Sequence, residues 1–155
     1  MEKIKFDKLG KLDYGVTEAL RTLKTNIQFC GDDIKTILLT SSIPSEGKST
    51  VTLNLARSMA ASGEKVIYVD CDIRKSVIIG RTGAHTESGN RIYGLSHYLS
   101  GQKVLEEVVY FTEVEGLDMI FAGPTVPNPT EMLGNHYFGE MIYCLKRMYD
   151  VILLD

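Results

Sequence analysis

The run Ser42-Ile43-Pro44-Ser45-Glu46-Gly47-Lys48-Ser49-Thr50 combines the residue types needed to hold a phosphate. A glycine before the lysine lets the backbone turn the amides of Ser45, Glu46, Gly47 and Thr50 toward an anion, at the positive end of a following helix. Lys48 adds a compact cation for β- and γ-phosphates, and the Ser49 hydroxyl is a hard oxygen ligand for Mg²⁺. Ser42 stands where such loops usually carry their first glycine. Two more groups suit the same chemistry: Asp70-Cys71-Asp72-Ile73-Arg74, and Asp155. A carboxylate beside the phosphates can hold Mg²⁺ or its waters, or take the proton of a hydroxyl attacking the γ-phosphate. By itself Asp72 could be a helix cap or turn residue with Arg74 as its surface partner, but beside a phosphate loop the functional reading is favoured; spacing does not decide whether Asp70 or Asp72 is the base.

The elements around these residues put them in the right places. Ile37-Leu38-Leu39 reads as a short buried parallel strand, and Val51, Leu55 and Met59 recur at helical spacing behind the loop. That helix is expected over Lys48 to Ser62, stopped by Gly63 in left-handed geometry. Lys65 to Val69 is a second buried strand that delivers Asp70 and Asp72 to the carboxyl edge of the sheet, where α/β chemistry collects. Val151 to Leu154 is a third such strand with Asp155 at its tip, the arrangement in which a carboxylate orients Mg²⁺.

The remaining segments are less directive. Tyr14 to Phe29 carries Val16, Leu20, Leu23 and Ile27 on one helical stripe, closed near Gly31. Glu18, Arg21 and Lys24 lie on another flank and read by themselves as a solvated face. Gly80 to Arg91 is hydrophilic and expected to be a loop, with His85 solvated in it. Gly94 to Gly101 looks like a short helix, Val104 to Gly116 stays unassigned, and Leu117 to Gly123 is a strand. A proline-punctuated loop then leads to a helix starting at Glu131, capped by Asn128 or Thr130, and Tyr137 to Arg147 forms another.

Together these predict one α/β domain over residues 1–155: a mostly parallel sheet flanked by helices, the three-layer phosphate-loop NTPase fold. A net charge of −3 excludes a strongly basic nucleic-acid coat. The amino terminus, MEKIKFDKLGKLDYG, alternates charged and apolar residues and is no signal peptide, and no apolar run approaches a membrane span. Three scattered cysteines fit neither a metal site nor a disulfide framework, so a cytoplasmic setting is expected. Because the sequence stops at Asp155, directly after an apolar strand, a carboxy-terminally truncated domain lacking its last strands is expected, with the final strand left at an exposed edge or deprived of a neighbour.

The motifs SSIPSEGKST, VIYVDCDIR, GLSHYLSG, FAGPTVPNPTEML and VILLD resemble those of the bacterial tyrosine kinases of capsule and exopolysaccharide synthesis, over Glu18 to Asp155. The resemblance implies an autophosphorylating, ATP-dependent protein tyrosine kinase that takes ATP/ADP and Mg²⁺. Within it Lys48 would contact the phosphates, and Ser49, Asp72 and Asp155 would arrange Mg²⁺. Asp70 would be the base or a metal-shell residue. It also implies a membrane adaptor whose cytoplasmic tail completes the site, protein tyrosines as substrates, and peripheral placement at the inner membrane face. The helix carrying Glu18, Arg21 and Lys24 resembles the family's ring-assembly helix, which implies a homo-oligomer. Lys24 replaces that helix's second arginine, and a lysine cannot form the bidentate fork of a guanidinium. The family's carboxy-terminal tyrosine cluster is missing. Two rivals remain: a partition or division-site ATPase, which typically carries a lysine where this chain has Ile43, and a catalytically weak nucleotide-binding regulator.

Overall fold

The computed structural model describes residues 1–155. Its centre is a sheet of seven strands: β1 (Lys3–Phe6), β2 (Thr36–Leu38), β3 (Val66–Val69), β4 (Ala84–Thr86), β5 (Tyr110–Thr112), β6 (Leu117–Ile120) and β7 (Val151–Leu154). They lie in the order β2-β7-β3-β6-β5-β1-β4. β2, β7, β3 and β6 run parallel, whereas β5 is antiparallel to β6 and β4 is antiparallel to β1.

Alternation along the central strands divides the core into two faces. Val66, Tyr68, Val151 and Leu153 pack with Leu55, Ala56 and Met59 of α2 (Lys48–Ala61), and Leu20 of α1 (Tyr14–Gln28) closes that side. Ile67, Val69, Ile152 and Leu154 pack on the other side with Met141 and Leu145, and with Leu95 and Leu99. Those side chains belong to α6 (His136–Met148) and α4 (Leu95–Leu99). Two short helices, α3 (Ile78–Thr82) and α5 (Pro129–Leu133), complete the helical layers. The three-layer arrangement expected from the sequence is therefore present.

α2 and α6 follow expectation closely. Gly63 sits at φ +93°, the left-handed stop predicted for α2, and Asn135 caps α6 by accepting from the Phe138 amide. α5 begins at Pro129, two residues before the expected start at Glu131, so Thr130 lies inside it. Asn128 occupies the cap without a side-chain capping bond. Gly94 is required by packing: a Cβ there would fall 2.3 Å from the Gly123 amide nitrogen.

Several expectations are corrected. The strand before the phosphate loop is an edge strand rather than a buried one: β2 pairs only with β7, and Leu38 is 66% exposed. The last strand, β7, is flanked by β2 and β3 and is buried throughout, so the exposed edge falls on β2 instead. Val51 and Val16 are exposed: the buried face of α2 starts at Thr52, and the first buried residue of α1 is Leu20. The hydrophilic stretch after Gly80 holds the end of α3 and all of β4, which buries Ala84 and Thr86 against β1 while His85 faces out. β1 and β5 were not anticipated as strands at all. Both are three or four residues long: β1 pairs only with segments far away in sequence, and β5 pairs with β1 on one side and with the adjacent β6 on the other.

Candidate functional site

β2 ends at Leu38, and the chain then turns through Ser41–Gly47 into the amino terminus of α2. Ser45 (φ +64°) and Gly47 (φ +85°) are both left-handed, which folds the loop back on itself. Gly47 is the helix cap and offers no side chain, so the first-turn amides of this 14-residue helix are left for an outside acceptor. Within the loop the Glu46 carboxylate already accepts from the amides of Ser42 and Ile43, at 3.1 and 3.4 Å. These amides are thus aimed where an anionic oxygen can be held.

A cleft of about 430 Å³ opens over the loop, walled by Ser42, Ser45, Glu46, Gly47, Lys48 and Ser49 on one side. Asp72, Arg74, Lys75 and Arg81 supply the other wall. Four cations against two carboxylates suit a polyphosphate rather than a cationic ligand. Arg81, Lys75 and Ser76 were not singled out in the sequence, because a charged residue after a turn carries no periodic signal. Thr50 follows Ser49 in the first turn of α2, and its hydroxyl accepts from the Arg81 guanidinium at 3.1 Å.

The three aspartates are not equally exposed. Asp72 is at the wall, with Oδ1 accepting from the Lys75 amide at 2.8 Å. Asp70 is 1% exposed and lies behind it. Its oxygens accept from the Ser76 hydroxyl and from the Asp72 amide, the latter at 3.1 Å. Burial pushes the Asp70 carboxyl up to about 6, against the pull of those two donors. The Asp155 side chain is also fully buried: its Oδ1 meets Lys48 Nζ at 2.5 Å, and its Oδ2 accepts from the buried Tyr68 hydroxyl. β7 lies between β2 and β3, so the strand order brings Lys48, Asp70 and Asp155 to one end of the sheet although they are far apart in sequence.

No three carboxylate, thiol or imidazole groups converge as a metal cluster. The donor set still fits Mg²⁺ held chiefly by phosphates and water, with Ser49 and Asp72 at the cleft wall and Asp155 reached through Lys48. On α1, Arg21 and Glu18 pair at 2.9 Å and point outward, whereas Lys24 turns to Glu64 of the same chain at 3.5 Å and is mostly covered. The structure thus separates Lys24 from the other two members of the expected assembly flank.

A left-handed loop feeding a helix amino terminus, a lysine over it and carboxylates at the tips of neighbouring parallel strands define a phosphate-loop NTPase domain. The chain belongs to the AAA domain family, whose pattern matches residues 34–155. It is 39% identical over 138 residues to the tyrosine-protein kinase CpsD of Streptococcus agalactiae, covering 89% of this chain and 58% of that protein. The chain thus spans somewhat more than half the length of that curated relative. The kinase domain of the Escherichia coli tyrosine kinase ETK superposes with a TM-score of 0.80 at 28% identity, over 90% of this chain and 53% of the other. A weaker likeness, TM-score 0.61 at 28% identity over 78% of this chain and 48% of the other, is to the septum site-determining protein MinD of Pyrococcus horikoshii, solved with Mg-ADP. The resemblance to bacterial tyrosine kinases drawn from the motifs is borne out, and the division-site ATPases fit less well. No helix is long and apolar enough to cross a membrane.

Proposed function

We propose that this chain is the nucleotide-binding part of an ATP-dependent, autophosphorylating protein tyrosine kinase serving capsular or exopolysaccharide synthesis. The observation that carries the reading is the shared cleft: the phosphate loop with Lys48 faces the D-x-D-x-R segment through Asp72 and Arg74. Likeness to named tyrosine kinases supplies the reaction class. ATP with Mg²⁺ supplies the transferable phosphoryl group and the charge neutralisation. The chain's own residues bind and orient. The loop amides and Lys48 hold the phosphates, Ser49 and Asp72 face the cation and its waters, and Arg74 and Arg81 balance charge at the rim.

The acceptor tyrosine oxygen forms the new bond to the γ-phosphorus as the bond to the bridging β–γ oxygen breaks and ADP departs. The tyrosine proton goes to a carboxylate. Asp70, raised to about 6, has suitable basicity for that role but lies behind Asp72, so the proton reaches it by way of Asp72 or water at the wall. Glu18 and Arg21 are the outward residues of α1 suited to contact a second copy, and a membrane adaptor tail is the expected further partner.

Labelled γ-phosphate followed in the full-length protein with its adaptor tail tests this. Label on tyrosine, lost in Lys48→Met, supports the kinase. Release as free phosphate alone, accelerated by DNA or lipid, would move the protein to the positioning ATPases.

A further inference from the structure

β3 is aliphatic at Val66, Ile67 and Val69 and carries Tyr68 among them. Tyr68 is 0% exposed, and a buried tyrosine hydroxyl requires a polar partner. That partner is Asp155 Oδ2, while Lys48 Nζ takes Oδ1. The main chain at Asp155 is also fixed to β3: its amide donates to the Val69 carbonyl at 3.0 Å and its carbonyl accepts from the Cys71 amide at 2.9 Å. Only the side-chain torsions of Asp155 are left to be set, and two groups set them.

Those two groups differ in mobility. Tyr68 is packed in the core between the sheet and α2 and cannot leave. Lys48 stands at the cleft wall, with its side chain 23% exposed on a flexible four-carbon stem that can turn toward a phosphate. We infer that Tyr68 is a positioning residue for Asp155, holding its carboxylate in place when Lys48 turns from it to a phosphate.

The Asp155 side chain has 0% exposure, so a carboxylate stripped of Lys48 has no bulk water to replace it. With the Tyr68 hydroxyl on Oδ2, the group keeps one donor and leaves Oδ1, the oxygen Lys48 vacates, toward the cleft. A divalent cation arriving with the nucleotide then finds that oxygen already oriented. Without the hydroxyl the carboxylate has Lys48 as its sole side-chain partner, so Lys48 is harder to detach and the orientation of Oδ1 is lost. This inference rests on the nucleotide-site reading above and adds a residue to it.

The test is calorimetric binding of ADP to the 155-residue chain, with and without Mg²⁺, for the parent and for Tyr68→Phe. Tyr68→Phe removes one oxygen and no volume. The expected result is that Mg²⁺ tightens ADP binding in the parent and that Tyr68→Phe reduces this gain about tenfold, the scale of one hydrogen bond to a charged group. A merely structural role would weaken both arms alike. In the double variant Tyr68→Phe/Asp155→Asn the buried carboxylate is removed together with its donor, and the Lys48 ammonium, partly exposed, can reach solvent, so folding is retained even where the single variant is unstable. The double variant must match Asp155→Asn alone in both arms. An undiminished Mg²⁺ gain in Tyr68→Phe, or a further loss in the double variant, overturns the inference and leaves the nucleotide site standing. A parent chain that binds no ADP in either arm overturns both.

Discussion

The sheet carries a buried tyrosine–aspartate pair at each of its two ends, and they do different things. At the carboxyl ends of the strands, Tyr68 donates to Asp155, which also meets Lys48 under the phosphate loop. At the amino ends, Tyr149 donates to Asp118 Oδ2 at 2.7 Å, and the Lys65 ammonium lies over the Tyr149 ring at 5.1 Å. Each set contains one acid, one phenol and one ammonium. The difference is in where the ammonium points. Lys48 contacts the carboxylate directly at the wall of a cleft that a polyphosphate can enter, whereas Lys65 covers the Tyr149 ring from outside, and the surface it shares with Glu64 and Glu115 carries acidic groups instead of a phosphate loop. A buried carboxylate is thus not a functional signal by itself. Burial raises Asp118 as it raises Asp70, and only the second stands beside the phosphate loop.

The largest effect is expected at Lys48. Lys48→Met should weaken ADP binding by roughly 10- to 100-fold, the range for losing charge-assisted contacts, in a calorimetric titration. Lys65→Met in the same titration should change binding by less than about twofold, because its charge acts on a surface pair. Equal losses at both lysines would erase the distinction between the two ends.

A smaller effect is expected in the pH dependence of folding. Asp70 is raised to about 6 mainly by burial, so the folded chain binds that proton more tightly than the unfolded one. The favourable contribution is complete below pH 4 or so and is lost as pH rises through about 6. Asp70→Asn should therefore be more stable than the parent at pH 8 by roughly 1–2 kcal/mol in urea titrations, after allowing for the weaker bonds an amide accepts. An advantage that is the same at pH 4 and pH 8 would show that the shift does not come from Asp70.

At the closed end, Tyr149→Phe should cost roughly 1–2 kcal/mol of stability by leaving Asp118 without its donor, with ADP affinity unchanged. The smallest change is expected for the stability of Lys65→Met, below about 1 kcal/mol for a single cation over an aromatic ring. A drop in ADP affinity in Tyr149→Phe would mean that the two ends are coupled through the strands between them.

The parts of this molecule legible in the sequence are those whose signal is local. The phosphate loop declares itself by glycine and lysine between a strand and a helix, and β3 and β7 are uninterrupted apolar runs ending in aspartate. The segments that stayed silent are made by distant partners. Ala84–Thr86 looks hydrophilic, and it becomes a strand because β1 lies alongside it. In Lys3–Phe6 the alternation was visible, with Ile4 and Phe6 turned inward, but four residues at a charged terminus do not outweigh a coil reading. At the site, Asp70 and Asp72 were placed together without a way to rank them, since their difference in depth is set by the loop that carries Ser76 and Lys75. Tyr68 had a signal that could have been used: a phenol inside an aliphatic strand must bond to something.

β2 launches the phosphate loop and, within residues 1–155, is paired on one side only, by β7. Its outer amides and carbonyls form a template for one more strand. By thermodynamic reciprocity, any segment that pairs there and steadies the loop tightens phosphate binding by the same factor that bound phosphate tightens the pairing. Within residues 1–155 the strand that launches the loop thus keeps one pairing side open, and strand pairing there and phosphate binding share one free-energy cycle.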